Sequence, residues 1–324
     1  MPSQFHFVDL TPDLQLDALQ SIGVYAESGL LALNSYENRV YQFKADDNRR
    51  YVVKFYRPER WSDAQILEEH QFALDLQQAD VPMVAPIERD GQTLHHFQHH
   101  RFALFPSQGG RALEMDNLDH YEQLGHYLGM LHQVGAQRAF QARPRLELQR
   151  DVERASAQLL ASPFLPASLR AAYEQLLASS VALLPTEPLR MLRCHGDCHV
   201  GNLLMHDGLT LLDLDDSIQA PAITDFYLLL SGERDEQRLQ LDVLLESYQN
   251  FSQLQGSELA WLEALRWRRM LSHMAWLDQR WADAAFPKAF PWFEQPSFWQ
   301  QQLKALEQQW QALQGPALSL TPYY

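Results

Sequence analysis

The spacing of three side chains near the middle of the sequence limits the folds this chain can adopt. His195, Gly196, Asp197, Cys198, His199, Val200, Gly201 and Asn202 run together, and eleven residues beyond the asparagine Asp213 closes an apolar run. Residues 203–205 and 209–214 read as two short strands separated by a His206, Asp207, Gly208 turn. Such a hairpin holds Asn202 at one end and Asp213 at the other. A single loop aspartate is most often a turn former. A set of aspartate, amide and second aspartate at these intervals is instead what phosphoryl transfer from a metal nucleotide requires. The first carboxylate takes or orients the acceptor hydroxyl, and the amide oxygen and second carboxylate are hard donors for Mg2+.

Asp197 and Asn202 have the aspartate-to-asparagine interval of the protein kinase catalytic loop, H-R-D-x-x-x-x-N, with Gly196 in place of the arginine. With that glycine the chain resembles the aminoglycoside phosphotransferase and choline kinase group, which is similar in fold to protein kinases. Over its whole length, including residues 33–43 and 102–111, it resembles a branch of bacterial stress-response protein kinases within that group. The resemblance implies an α+β, bilobed protein-kinase-like fold. It would have a small N-terminal lobe of mixed sheet plus helix (1–105), a hinge (106–110) and a larger, mainly α-helical catalytic and acceptor-binding lobe (111–324). It also implies ATP as phosphoryl donor, Mg2+ as cofactor, Asp197 and Asp213 as catalytic residues, and Asn202 and Asp213 as metal ligands. Protein serine and threonine hydroxyls are the implied acceptors, in a cytoplasmic monomer. Asp215 is a candidate accessory ligand and Asp216 a cap or turn residue. Asp213 is not followed by phenylalanine and glycine, which argues against an activation switch that flips those residues.

The N-terminal third supplies candidates for the nucleotide. Residues 40–43 and 51–56 are rich in aromatic and β-branched side chains around a polar Asp46, Asp47, Asn48 turn, so they read as a hairpin. Alternation places Lys54 on the face opposite Val53 and Phe55. Ser62 followed by Gln65 is a capping box, and Ile66, Phe72, Ala73 and Leu76 recur at helical spacing, which predicts a helix over 63–78. That helix presents Glu68 and Glu69. Glu69 is the better partner for Lys54, which would contact the α- and β-phosphates. The loop expected to cover the phosphates, residues 33–38, lacks the glycines of a kinase loop, though small side chains and backbone N–H groups can still cradle phosphate oxygens. Within it Ser35 resembles a nucleotide-contacting serine of the group. Phe105 and Ser107 fall at the expected hinge, where backbone groups would meet the adenine edge.

A net charge of −15 argues against a protein that coats nucleic acid, because such binding depends on neutralising phosphates. Residues 39–60 are nevertheless locally basic. No window approaches the apolar length of a membrane span, and no signal-like start is present, so no membrane partner is expected. The two cysteines, Cys194 and Cys198, bracket Asp197 and do not form a disulfide framework, which fits a reducing compartment. Cys198 is a candidate for oxidation. With His195 and His199 the pair also resembles a zinc set, but the span is too short for all four to converge on one tetrahedral ion. His195 is expected to brace the loop and Asp225 to cap a helix that ties the catalytic region down. Seven of the eight tryptophans lie between Trp261 and Trp310 and are expected to pack a helical core.

Three other functions compete with a protein kinase. A small-molecule kinase acting on homoserine, choline or an aminoglycoside-like alcohol would use the same residues. A catalytically dead binding module would usually lack the lysine, the base or a metal ligand, all of which are kept here. A zinc hydrolase would leave the Asn202 and Asp213 spacing unexplained.

Overall fold

The Ser62 hydroxyl accepts from the Gln65 N–H, and the Gln65 side chain accepts from the Ser62 N–H, so the capping box forms and starts a helix over Asp63–Gln78. The computed structural model describes Phe7, residues 9–115 and residues 117–320. In chain order the first elements are α1 (Pro12–Gln20), β1 (Leu31–Ala32), β2 (Arg39–Lys44), β3 (Arg50–Phe55), α2 (Asp63–Gln78), β4 (His95–Phe97), β5 (His100–Pro106) and β6 (Arg111–Ala112). Next come α3 (Leu118–Gly135), α4 (Leu148–Ala161), α5 (Ala167–Ser180), β7 (Leu192–Cys194), β8 (Leu203–Met205), β9 (Leu209–Leu211) and β10 (Ile218–Ala220). The remainder is helical: α6 (Arg234–Tyr248), α7 (Leu262–Arg280), α8 (Ala285–Ala289) and α9 (Pro296–Gln314).

Two compact units result. The first contains the described residues up to Glu114, together with Phe140–Arg143 and Val200–Ser217. Its main sheet has the order β1-β2-β3-β5-β4. Every pairing in that sheet is antiparallel, where a mixed sheet was expected. On the central strand β3, Lys54 is registered between Val40 and Ala103. One face of the sheet, Phe43, Val53, Phe55, Phe102 and Leu104, packs with Ala18 and Leu19 of α1. The other face carries Lys54 and Ala103, the latter packed with Ile66 of α2. Full burial of Ile66, Phe72 and Leu76 stabilises by roughly 1.5–3 kcal/mol each, which holds α2 to its neighbours despite its polar residues. The Glu68 carboxylate accepts three successive N–H groups, from Gln141 (2.6 Å), Ala142 (2.8 Å) and Arg143 (2.8 Å), which fixes segment 140–143 on α2.

The second strand expected over 209–214 ends at Leu211. The Leu212 N–H turns back to the Asn202 carbonyl at 2.9 Å. The hairpin therefore sets Asn202 against the residue preceding Asp213, as the apolar pattern required. β6 and β8 complete a three-stranded sheet with β9.

The second unit comprises Met115–Ala139, Pro144–His199 and the described residues from Ile218 onward, and it is largely helical. α3 lies very close to α6. A Cβ on Gly125 would stand 2.0 Å from the Leu244 carbonyl oxygen, and one on Gly129 would stand 2.8 Å from that of Tyr248. Asp151 of α4 takes an ion pair from Arg268 of α7 at 2.8 Å. Trp267 and Trp299 are fully buried, and Trp299 Nε1 donates to the Phe293 carbonyl at 2.8 Å. These two rings form helical core as expected, although Trp292 is 39% exposed.

Candidate active site

In the first unit, strand pairing on both sides fixes Lys54, and its ammonium meets three carboxylates. Nζ lies 3.0 Å from Asp213 Oδ1, 3.2 Å from Asp215 Oδ1 and 3.7 Å from Glu69 Oε1. The lysine is 7% exposed. Burial alone would lower its pKa, but Asp213, Asp215 and Glu69 outweigh burial and hold it well above the usual lysine value. Glu69 is pushed up to about 7 by burial, against the pull of Lys54 and Arg143. Three acids compete for one ammonium, and Glu69 is the farthest of the three. Glu68 is committed to the backbone of 141–143, so the two adjacent glutamates do separate jobs.

Asp213 has φ of 61°, the left-handed region that aspartate tolerates better than most residues. This geometry turns its carboxyl back toward Lys54 while leaving half of the side chain exposed. Asp215 is the opposite, being 4% exposed. Asn38 Nδ2 donates to its Oδ2 at 3.1 Å, and Arg60 Nη1 pairs with that same oxygen, leaving Oδ1 to Lys54. Burial raises the Asp215 pKa, but Arg60, Lys54 and Arg143 together drive it far below the usual carboxylate range. Asp216, expected to be a cap or turn residue, lies in a turn and pairs with Arg60 Nη2 at 2.6 Å. Arg143 adds a third cation. It donates to the Asp215 carbonyl at 2.7 Å and stacks on Trp61 at 4.3 Å, with Nη1 3.9 Å from Glu69. The cluster therefore balances Lys54, Arg60 and Arg143 against Glu69, Asp213, Asp215 and Asp216.

Asn38 is buried and bridges the start of the sheet to this cluster, its Oδ1 accepting the Arg57 N–H at 3.0 Å. Ser35 is half-buried in the turn before β2. Phe105 lies on β5, paired with Val52. The Ser107 N–H already donates to the Arg50 carbonyl at 3.1 Å, and Ser107 Oγ accepts from Gln42 at 2.6 Å. Asn202 ends a short 3-10 turn (Val200–Asn202).

In the second unit, Asp197 follows β7 in a loop that Gly196 opens with φ of 85°, so glycine in place of the kinase arginine meets a backbone need. The Asp197 carboxylate is 17% exposed, with Arg269 Nη2 at 3.1 Å and His199 Nε2 at 3.4 Å. Burial raises its pKa, but His199, Arg269 and His195 more than compensate, and the carboxyl stays below its usual value. It is thus ionised at neutral pH.

Asp225 is not a helix cap. It lies at the end of a 3-10 turn (Ala222–Asp225), and its buried carboxylate accepts the His195 N–H (2.7 Å), the Gly196 N–H (2.8 Å) and a contact from His132 Nε2 (2.9 Å). It anchors the backbone directly ahead of Asp197. His195 is fully buried and braces the loop through this anchor. The expectation that Cys198 is open to oxidation is overturned. Both cysteines are fully buried, and burial pushes both thiols well above the usual value, leaving no thiolate to react. Among the described residues, Cys194, His195, Cys198 and His199 do not gather as a metal-ligand set.

Arg60 had only the basic character of its neighbourhood, residues 39–60, as a sign in the sequence, and Arg143 and Arg269 had none. The partners of Arg60, Arg143 and Arg269 lie 155, 72 and 72 residues away respectively (269 − 197 for the last), and no local pattern links such positions.

An ion-paired strand lysine, a helix glutamate and an aspartate just past the hairpin are an arrangement that suits a kinase-type phosphotransferase. Residues 30–257 match the phosphotransferase enzyme family, and the chain belongs to that family as an ATP-dependent kinase. It is 46% identical over 325 residues to stress response kinase A of Escherichia coli K12, an alignment covering 99% of each chain. It is 45% identical over 323 residues to the serine/threonine protein kinase RdoA of Salmonella typhimurium LT2, covering 99% of this chain and 98% of that one. Among solved structures, a microcompartment-associated aminopropanol kinase matches 95% of this chain and 99% of its own with a TM-score of 0.71 at 20% identity, which shows a shared fold.

Proposed function

We propose that this protein is a serine/threonine protein kinase acting in a stress response, and that it transfers the γ-phosphoryl group of ATP to a protein hydroxyl. The observation that carries this is the Lys54 cluster, in which one buried ammonium faces Glu69 and a half-exposed Asp213. Lys54 would hold the α- and β-phosphates, with Glu69 positioning it, and Ser35 and the hinge residues Phe105 and Ser107 would contact the nucleotide. The Asn202 amide oxygen and the Asp213 carboxylate suit Mg2+, because both are hard oxygen donors and Asp213 is open to a ligand. When bound, Mg2+ would neutralise charge on the phosphates of the donor. Asp197, ionised at neutral pH, would accept or orient the acceptor hydroxyl.

The protein acceptor is supported by the names of the full-length relatives, one of which is a serine/threonine protein kinase. The protein is taken to be a cytoplasmic monomer. No helix among the described residues is long and apolar enough to cross a membrane. The test is incubation with ATP labelled at the γ-position and Mg2+, first alone, then with generic protein substrates, then with an alcohol panel including homoserine, choline and an aminoglycoside. Label on serine or threonine of protein, lost when Mg2+ is chelated, is the expected result. Label confined to small alcohols would replace the protein acceptor with a small one.

A further inference from the structure

The hairpin of β4 and β5 carries His95, His96, His99 and His100, none of which the phosphotransfer chemistry uses. At its tip, Asp9, which precedes α1, meets two of them through one oxygen. Asp9 Oδ2 is 2.5 Å from His99 Nε2 and 3.6 Å from His100 Nε2, and one ligand atom from each of the three residues lies within 4.8 Å of the other two. The environments of the two histidines differ sharply. The His99 and Asp9 side chains are 60% and 50% exposed, whereas His100 is 3% exposed. His100 Nε2 is buried and, among the described residues, has no hydrogen-bond partner. Asp9 at 3.6 Å is beyond hydrogen-bond reach. Buried ring nitrogens are ordinarily hydrogen-bonded, and this one, whose polar neighbour Asp9 stands only within ion-pair range, lies together with that carboxylate and a second imidazole in a geometry a bound cation would complete.

We propose that Asp9, His99 and His100 form a three-ligand site for a divalent transition-metal ion of the zinc class, clamping the segment before α1 to the β4–β5 tip. Two imidazoles and one carboxylate suit zinc and its neighbours and are a poor set for Mg2+ or Ca2+, which prefer all-oxygen shells. Ligand atoms around a tetrahedral zinc stand about 3.3 Å apart, as follows from bond lengths near 2.0–2.1 Å. The Asp9 to His100 separation of 3.6 Å lies within about 0.3 Å of this spacing. The Asp9 to His99 contact must open slightly, which two half-exposed side chains permit. A water fills the fourth position. His96, paired with Asp63 at 3.0 Å, stays outside the site.

The test uses untagged full-length protein, calorimetric titration with Zn2+ in a buffer containing excess Mg2+, and a thermal scan with and without Zn2+. The wild type and His96→Ala are expected to bind one Zn2+ and to melt higher with it. Asp9→Asn, His99→Ala and His100→Ala should each bind at least about tenfold more weakly, the loss that changes behind the ligands already produce at zinc sites. Asp9 and His99 are exposed, so their variants keep the test decisive if His100→Ala disturbs folding. Failure of the wild type to bind Zn2+ stoichiometrically, or tight binding that survives Asp9→Asn and His99→Ala, would overturn the proposal.

Discussion

Replacing Asp225 with alanine should destabilise the second unit by about 3–5 kcal/mol, the usual cost of removing one partner from a buried charged network. The structure supports a figure of that size. The carboxylate has no solvent exposure and receives the His195 N–H at 2.7 Å, the Gly196 N–H at 2.8 Å and His132 Nε2 at 2.9 Å. Each backbone donor left unpaired in a dry site costs roughly 1–3 kcal/mol. A typical domain has about 5–15 kcal/mol in total, so the variant should remain folded but with a much reduced margin. Asp225→Asn retains an acceptor oxygen but loses the charge, and should cost about half as much. Urea unfolding at neutral pH, with the denaturant slope checked for constancy, measures both variants. Transfer activity gives a second readout. In Asp225→Asn it should fall more than nucleotide affinity does, because the anchor holds the loop of Asp197. A loss below about 1 kcal/mol in Asp225→Ala at unchanged slope would refute the claim that this carboxylate anchors the loop.

Arg269→Met should move the acid limb of the kcat/KM profile to higher pH. Arg269 helps to hold the Asp197 carboxyl below its ordinary value, so removing it lets that value rise, and the base form is lost at a higher pH. An acid limb that stays in place would show that Arg269 does not act on Asp197. Gly125→Ala should cost about 1–3 kcal/mol or more, because its Cβ would meet the Leu244 carbonyl at 2.0 Å, whereas Gly109→Ala meets nothing within 4 Å and should be close to neutral. Thermal melting compares the two. Acid should weaken the fold through Asp215 and Asp225, whose folded pKa values lie below the ordinary 3.8. Their contribution is fully present above that value and disappears as pH falls through the folded values, so urea midpoints should fall steeply below pH 4, and less so in Asp215→Asn.

Much of the site could be read from the sequence because its signals are local. The Ser62–Gln65 box started a helix at the expected residue, alternation put Lys54 on its face, and the 203–211 hairpin set Asn202 beside the approach to Asp213. The structure separated Glu68 from Glu69, a choice the sequence could make only from an interval. Partners brought in from far along the chain left no sign. Arg143 reaches the Asp215 carbonyl from a loop pinned by Glu68, and Arg269 reaches Asp197 from the middle of α7. Cys198 misled for a similar reason, since its position beside Asp197 says nothing about burial. The helix contacts at Gly125 and Gly129 are invisible until α6 is placed against them.

The most direct measurement of the central claim is single-turnover transfer from labelled ATP by Asp197→Ala, alongside nucleotide binding by the same variant. Transfer should fall about 10²- to 10⁴-fold while ATP still binds, as loss of a general base produces. Turnover equal to that of the wild type would contradict the assignment of Asp197 and the phosphotransfer mechanism built on it.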